Sequence, residues 1–133
     1  MDQKQKIDYN GKGNQKEFYS TLIVCPLSVL SNWETQLQEH INSQDFTFYI
    51  YHGSKKSTNI KFLSGHEVIL TSYDVLANEY NSEFLSTLAQ IKFRRLILDE
   101  GHNIKNFKSV KSKSCCQLIA KNRWFVSGTP IGT

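Results

Sequence analysis

Three features of this sequence predict an α/β fold, a parallel sheet with helices on both faces. Five short runs rich in Val, Ile, Leu and aromatic residues read as buried strands. Stretches of apolar residues at helical spacing lie between them. Polar turns stand where the apolar runs end, as expected of βαβ units. Right-handed crossovers then place helices on both faces of the sheet.

The elements follow in order. Residues 1–20 are polar, contain Gly11 and Gly13, and read as a linker or tail. Thr21 to Cys25 is the first strand, ended by Pro26. Leu27, Leu30, Trp33, Leu37 and Ile41 recur at helical spacing. Ser31 with Glu34 matches a capping box, and Ser28 is an alternative cap. Phe46 to Tyr51 is a second strand, His52-Gly53-Ser54 a turn, and Lys55 to Leu63 a short helix. Glu67 to Thr71 is a third strand. Tyr73 to Tyr80 reads as helical, with Glu83 to Ala89 extending or restarting it. Arg95 to Leu98 is a fourth strand, Val110 to Ala120 a helix, and Trp124 to Ser127 a fifth strand. Trp33 sits on the apolar stripe of its helix and reads as core.

Composition narrows the class. The chain has 133 residues, a formal net charge of +4 and 39% hydrophobic residues. That is too apolar for a disordered chain and long enough for one core. No apolar run approaches the roughly 18 residues of a membrane helix, so no membrane partner is expected. The first 18 residues lack the apolar stretch of a secretory signal. Cys25, Cys115 and Cys116 form neither a disulfide framework nor a CxxC zinc pattern, which points to a reducing compartment.

The charge is unevenly placed. Residues 1–102 carry 10 basic and 12 acidic side chains; residues 103–133 carry six basic ones and no acid. Such a segment is a nucleic-acid signal or a solvated helix face with acidic partners elsewhere.

Chemistry is expected beyond the carboxyl ends of the strands, where open parallel sheets bind ligands. Pro26-Leu27-Ser28, Thr71-Ser72 and Asp99-Glu100 fall there. Adjacent carboxylates at the end of an apolar strand must be solvated, paired or bound to a cation. Neighbours on a strand point opposite ways, so the two would do different work. One could hold Mg²⁺; the other could orient or deprotonate a water. An exposed acidic loop is the alternative. His102 follows two residues on, and Ser127-Gly128-Thr129 forms a polar turn after the fifth strand. His102 could hydrogen-bond that turn or be a structural histidine. His40, His52 and His66 have no such setting.

Four segments in this order resemble the first RecA-like lobe of a SNF2-type helicase-like ATPase. Residues 21–33 (TLIVCPLSVLSNW) resemble motif Ia, and 68–74 (VILTSYD) resemble motif Ib. Residues 98–106 (LDEGHNIKN) resemble motif II, and 123–131 (RWFVSGTPI) resemble motif III. Glycine within DEGH places the resemblance nearest the helicase-like transcription factor and Rad5/Rad16 branch. It implies a three-layer, P-loop NTPase-type sheet over 21–133, without its P-loop strand, and ATP and Mg²⁺ as cofactors. Double-stranded DNA or chromatin, a second RecA-like lobe and a nuclear location are implied as well. Residue by residue, Asp99 would coordinate Mg²⁺ through water and Glu100 would position the attacking water. His102 with Ser127, Gly128 and Thr129 would couple nucleotide to DNA. Pro26, Leu27, Ser28, Thr71, Ser72 and Lys105 would lie near the DNA backbone.

The pattern also departs from the family. No GxxxxGK[ST] phosphate loop occurs, and Gly11-Lys12-Gly13 does not replace one. The chain alone is therefore expected to be inactive, marginally stable and prone to association at an exposed sheet edge. A fragment of an ATP-dependent DNA translocase is the reading taken. A non-catalytic remnant that binds DNA or a protein is the alternative.

Overall fold

The computed structural model describes residues 16–41, 47–101 and 109–126. The sheet has five parallel strands: β1 (Thr21–Cys25), β2 (Phe48–Ile50), β3 (Val68–Ser72), β4 (Lys92–Asp99) and β5 (Ile119–Val126). Their spatial order is β2-β3-β1-β4-β5. The helices are α1 (Leu30–Ile41), α2 (Ile60–Ser64), α3 (Tyr73–Glu79) and α4 (Val110–Cys116). Among the described residues no helix is long and apolar enough to cross a membrane.

Alternation along the strands builds the three layers. Ile23 and Cys25 of β1, with Val68 and Leu70 of β3, pack against Leu30, Leu37 and Trp33 of α1. Leu22 and Val24, with Ile69, Leu96 and Leu98, face the opposite way. They meet Leu63 of α2, Val75 and Leu76 of α3 and Cys115 of α4. All five residues of β1 and of β3 are buried, which is why both read as unbroken apolar runs. Ahead of β1, Phe18 N–H donates to Lys92 O at 2.8 Å, and the Ser20 hydroxyl donates to Ser64 O at 3.1 Å.

Several boundaries differ from the sequence reading. Ser31 lies inside α1, so no Ser31–Glu34 box starts that helix. The chain instead enters through a 3-10 turn at Leu27–Val29, with Val29 N–H on Pro26 O at 3.0 Å. The expected Lys55–Leu63 helix is reduced to α2, started where the Asn59 side chain accepts from Phe62 N–H. The expected Glu83–Ala89 helix is only a 3-10 turn at Leu88–Gln90. The Val110–Ala120 helix stops at Cys116, and Ile119 and Ala120 belong to β5. Pairing of Ile119 with Lys92 and Ala120 with Phe93 lengthens both strands at the expense of the helix. Local propensity lost to strand pairing there.

Candidate active site

Strand register sets the site. Cys25 pairs with Ser72, and Val24 with Leu98, so Cys25, Ser72 and Asp99 end three adjacent strands at one level. Val126 stands opposite Asp99 on the far side. The chain leaves β1 toward the α1 face and β4 toward the α4 face, so the crevice of the sheet opens between them. Asp99 is placed at that crevice.

Asp99 is held twice. The Trp33 indole N–H donates to Asp99 Oδ2 at 2.8 Å, and the Tyr73 hydroxyl donates to the Asp99 carbonyl at 2.8 Å. Trp33 reaches in from the α1 face, and Tyr73 belongs to the opposite core. Asp99 itself is only 7% exposed. Burial pushes the Cys25 thiol up to about 12, and the charge of Asp99 adds to the shift. The Tyr73 hydroxyl is also pushed upward, chiefly by burial, with Cys115 and then Asp99 contributing. Both neighbours therefore stay protonated beside the carboxylate.

Glu100 follows in a different state. Its φ is +55°, the left-handed region that costs a non-glycine residue of order 1–3 kcal/mol. Its N–H donates to Val126 O at 2.7 Å, which ties the turn to β5. Gly101 then passes under Phe125: a Cβ there would lie 2.7 Å from Phe125 Cδ1. No local pattern signals this contact, since it joins two segments 24 residues apart.

The remaining site residues divide by exposure. Pro26 is half-buried, and Leu27 and Ser28 are exposed. Thr71 and Ser72 are buried, and their hydroxyls serve the fold. Thr71 Oγ1 donates to Tyr51 O at 2.8 Å, and Ser72 Oγ accepts from Val75 N–H at 3.1 Å as the cap of α3. His102, Lys105, Ser127, Gly128 and Thr129 lie outside the described residues. Within the basic segment, Lys111 pairs with Asp74 at 3.3 Å and Lys121 lies 4.9 Å over the Phe18 ring. Arg123 donates to the Leu118 carbonyl.

Sequence reading missed Trp33 and Tyr73 as site residues. A signal existed for both: a buried indole N–H or phenol hydroxyl normally finds a partner. A cleft of about 290 Å³ lined by His52, Gly53, Ser54, Lys56, Val75, Asn78 and Glu79 does not include the carboxylates. Its Lys56–Glu79 pair, 3.1 Å apart, is closed on itself, with Tyr51 also donating to Glu79.

Among the described residues no group of three or more His, Cys, Asp or Glu side chains could cage a metal. The donor set instead suits a cation that keeps most of its waters, as Mg²⁺ does when one or two carboxylates hold it beside substrate phosphates.

A fully parallel sheet with helices on both faces and an acidic pair at its crevice defines a three-layer α/β domain. The chain belongs to the SNF2-related domain family, which matches residues 2–133. It is 43% identical over 113 residues to helicase-like transcription factor of Mus musculus, covering 84% of this chain and 11% of that protein. It is 35% identical over 113 residues to DNA repair protein RAD5A of Arabidopsis thaliana, covering 83% and 11%. The solved Sulfolobus solfataricus SWI2/SNF2 ATPase core in complex with dsDNA superposes with a TM-score of 0.67 at 30% identity, covering 86% of this chain and 22% of that one. The chain thus spans about a tenth of the length of these curated relatives.

Proposed function

We propose that this chain is a segment of an ATP-dependent DNA translocase acting on duplex DNA or chromatin in the nucleus, and that Asp99 and Glu100 are its hydrolytic carboxylates. The observation that carries the reading is the position of Asp99. It is a buried carboxylate at the sheet crevice, followed by a glutamate on a left-handed turn, in a chain of the SNF2-related family. The likeness to a SNF2 core solved with dsDNA supports DNA as the partner.

Asp99 would hold Mg²⁺, and Glu100 would orient a water and accept its proton. When bound, the cation offsets charge on the phosphates. Half-buried Pro26 and exposed Leu27 and Ser28 form the turn after β1 and would position a DNA strand without reading its sequence. Thr71 and Ser72 would hold the neighbouring turn in shape. Lys105 would contact phosphate, while His102 and Ser127-Gly128-Thr129 would couple the nucleotide site to DNA. The chain alone supplies no phosphate cradle, so we read it as inactive by itself. A second RecA-like lobe is the natural partner.

The test begins with the size of the native protein in cell extract, using an antibody to residues 21–126. A band far above 15.3 kDa is expected. In that larger protein Glu100→Gln should abolish ATP turnover and keep DNA binding; preserved turnover would remove the role given to Glu100. A native band near 15.3 kDa would favour the non-catalytic remnant.

A further inference from the structure

We propose that Trp33 is a positioning residue for Asp99. Its indole N–H fixes the rotation of the carboxylate, and so the direction in which the second oxygen is offered to a divalent cation. This rests on the reading of Asp99 as the cation-holding group.

The geometry carries it. The Trp33 Nε1 to Asp99 Oδ2 distance is 2.8 Å, and the bond joins residues 66 apart in sequence. Trp33 is packed against the cluster of Ile23, Cys25, Leu30, Leu37 and Leu70, so the donor is a fixed point. The main chain of Asp99 is held separately, by Tyr73. With the backbone clamped by one partner and one carboxylate oxygen by another, little rotational freedom remains.

The type of donor matters as much as its place. A buried carboxylate needs a partner. A lysine or arginine would satisfy it and also neutralise it. An indole N–H only donates and cannot change role by flipping or tautomerism. It carries no charge, so it orients the carboxyl group without placing a competing cation beside it. Partners behind metal-holding groups typically change metal affinity 10–100-fold. The bland alternative is that the bond merely pins α1 to the sheet.

The experiment uses the 133-residue chain with Mn²⁺ as probe, free Mn²⁺ being read by electron paramagnetic resonance. The Trp33→Phe chain loses the donor. A second variant replaces the Trp33 indole by benzothiophene, isosteric but without the N–H, in a Trp124→Phe background. It keeps the packing if Trp33→Phe fails to fold. Thermal midpoints are measured in parallel. Expected are loss of the Mn²⁺ site in Asp99→Asn, and a rise of about tenfold in Kd for the isostere with the midpoint nearly unchanged. Loss of the site in Asp99→Asn with an unchanged Kd in the isostere would overturn the role of Trp33 alone. Absence of Mn²⁺ binding in the parent chain, or binding unaffected by Asp99→Asn, would overturn the cation reading of Asp99 and this role with it.

Discussion

β1 and β5 flank the same strand and are treated in opposite ways. β1 is paired with β3 and β4 and buried along its whole length. β5 is paired with β4 through seven residue pairs, yet seven of its eight residues are exposed, Trp124 at 55% and Phe125 at 67%. Both strands run parallel to β4, β1 through four residue pairs and β5 through seven, so pairing with β4 does not favour β1. What differs is cover. Backbone pairing is largely an exchange with water, whereas apolar burial is the main driving force. The comparison separates a strand that holds the fold together from one that is carried by it.

The largest expected contrast is in stability. Leu22→Ala empties a fully buried position between the sheet and α2–α4 and should cost about 2–5 kcal/mol in urea unfolding. Phe125→Ala should stay within about 0.5 kcal/mol, as exposed substitutions do. An equal loss at both would mean that β5 is covered in solution.

Next is association. Among the described residues no strand pairs with the outer edge of β5, beside exposed Trp124, Phe125 and Val126. Concentration-dependent self-association is expected in sedimentation velocity. Trp124→Lys with Phe125→Lys should weaken it about tenfold, or ~1.4 kcal/mol. Association untouched by both charges would move the contact to another surface.

The same contrast explains what was legible in the sequence. β1 and β3 could be found to within a residue because burial on both faces demands an unbroken apolar run. The acidic pair could be placed at the sheet crevice because it directly follows such a run. The border between α4 and β5 could not. Cys115 to Ala120 has no breaker, and only pairing of Ile119 with Lys92 decides where the helix stops. Trp33 reads only as core because periodicity counts an indole as apolar and is blind to its N–H. The expectation that Thr71 and Ser72 lie near the DNA backbone comes from the likeness of residues 68–74 to motif Ib, which says nothing of what their hydroxyls bond. Thr71 is tied to Tyr51, 20 residues away, which no local pattern reveals, whereas Ser72 caps α3 through the Val75 N–H three residues on.

Thiol chemistry probes the buried half without mutation. Cys25 and Cys115 are both buried and pushed up to about 12, chiefly by burial; Cys116 is exposed. Iodoacetamide at pH 8 should label Cys116 first, and the others only on unfolding. The raised thiols also set a sign. Below the unfolded value of 9.0 their contribution to stability is complete. As pH rises from there toward about 12, the unfolded chain loses its protons first and stability falls. Rapid labelling of Cys25 in folded protein would mean that the β1 end opens readily.

The smallest effect concerns the basic segment ahead of β5. Lys111 has an acidic partner, Asp74, 3.3 Å away on α3, and both side chains are nearly half exposed. An exposed pair of this kind is worth about 0–1 kcal/mol, so Lys111→Gln should barely move the unfolding midpoint. Its effect on DNA binding decides between two uses of the charge. If Lys111 serves α3, the slope of log K against log salt stays as it was. If it leaves Asp74 to meet a phosphate, the slope loses about 0.9, the share of one neutralised phosphate on duplex DNA. We expect the unchanged slope. That result would leave the charge of Lys111 to the fold and keep the proposed DNA contacts on other residues, the turn after β1 first among them.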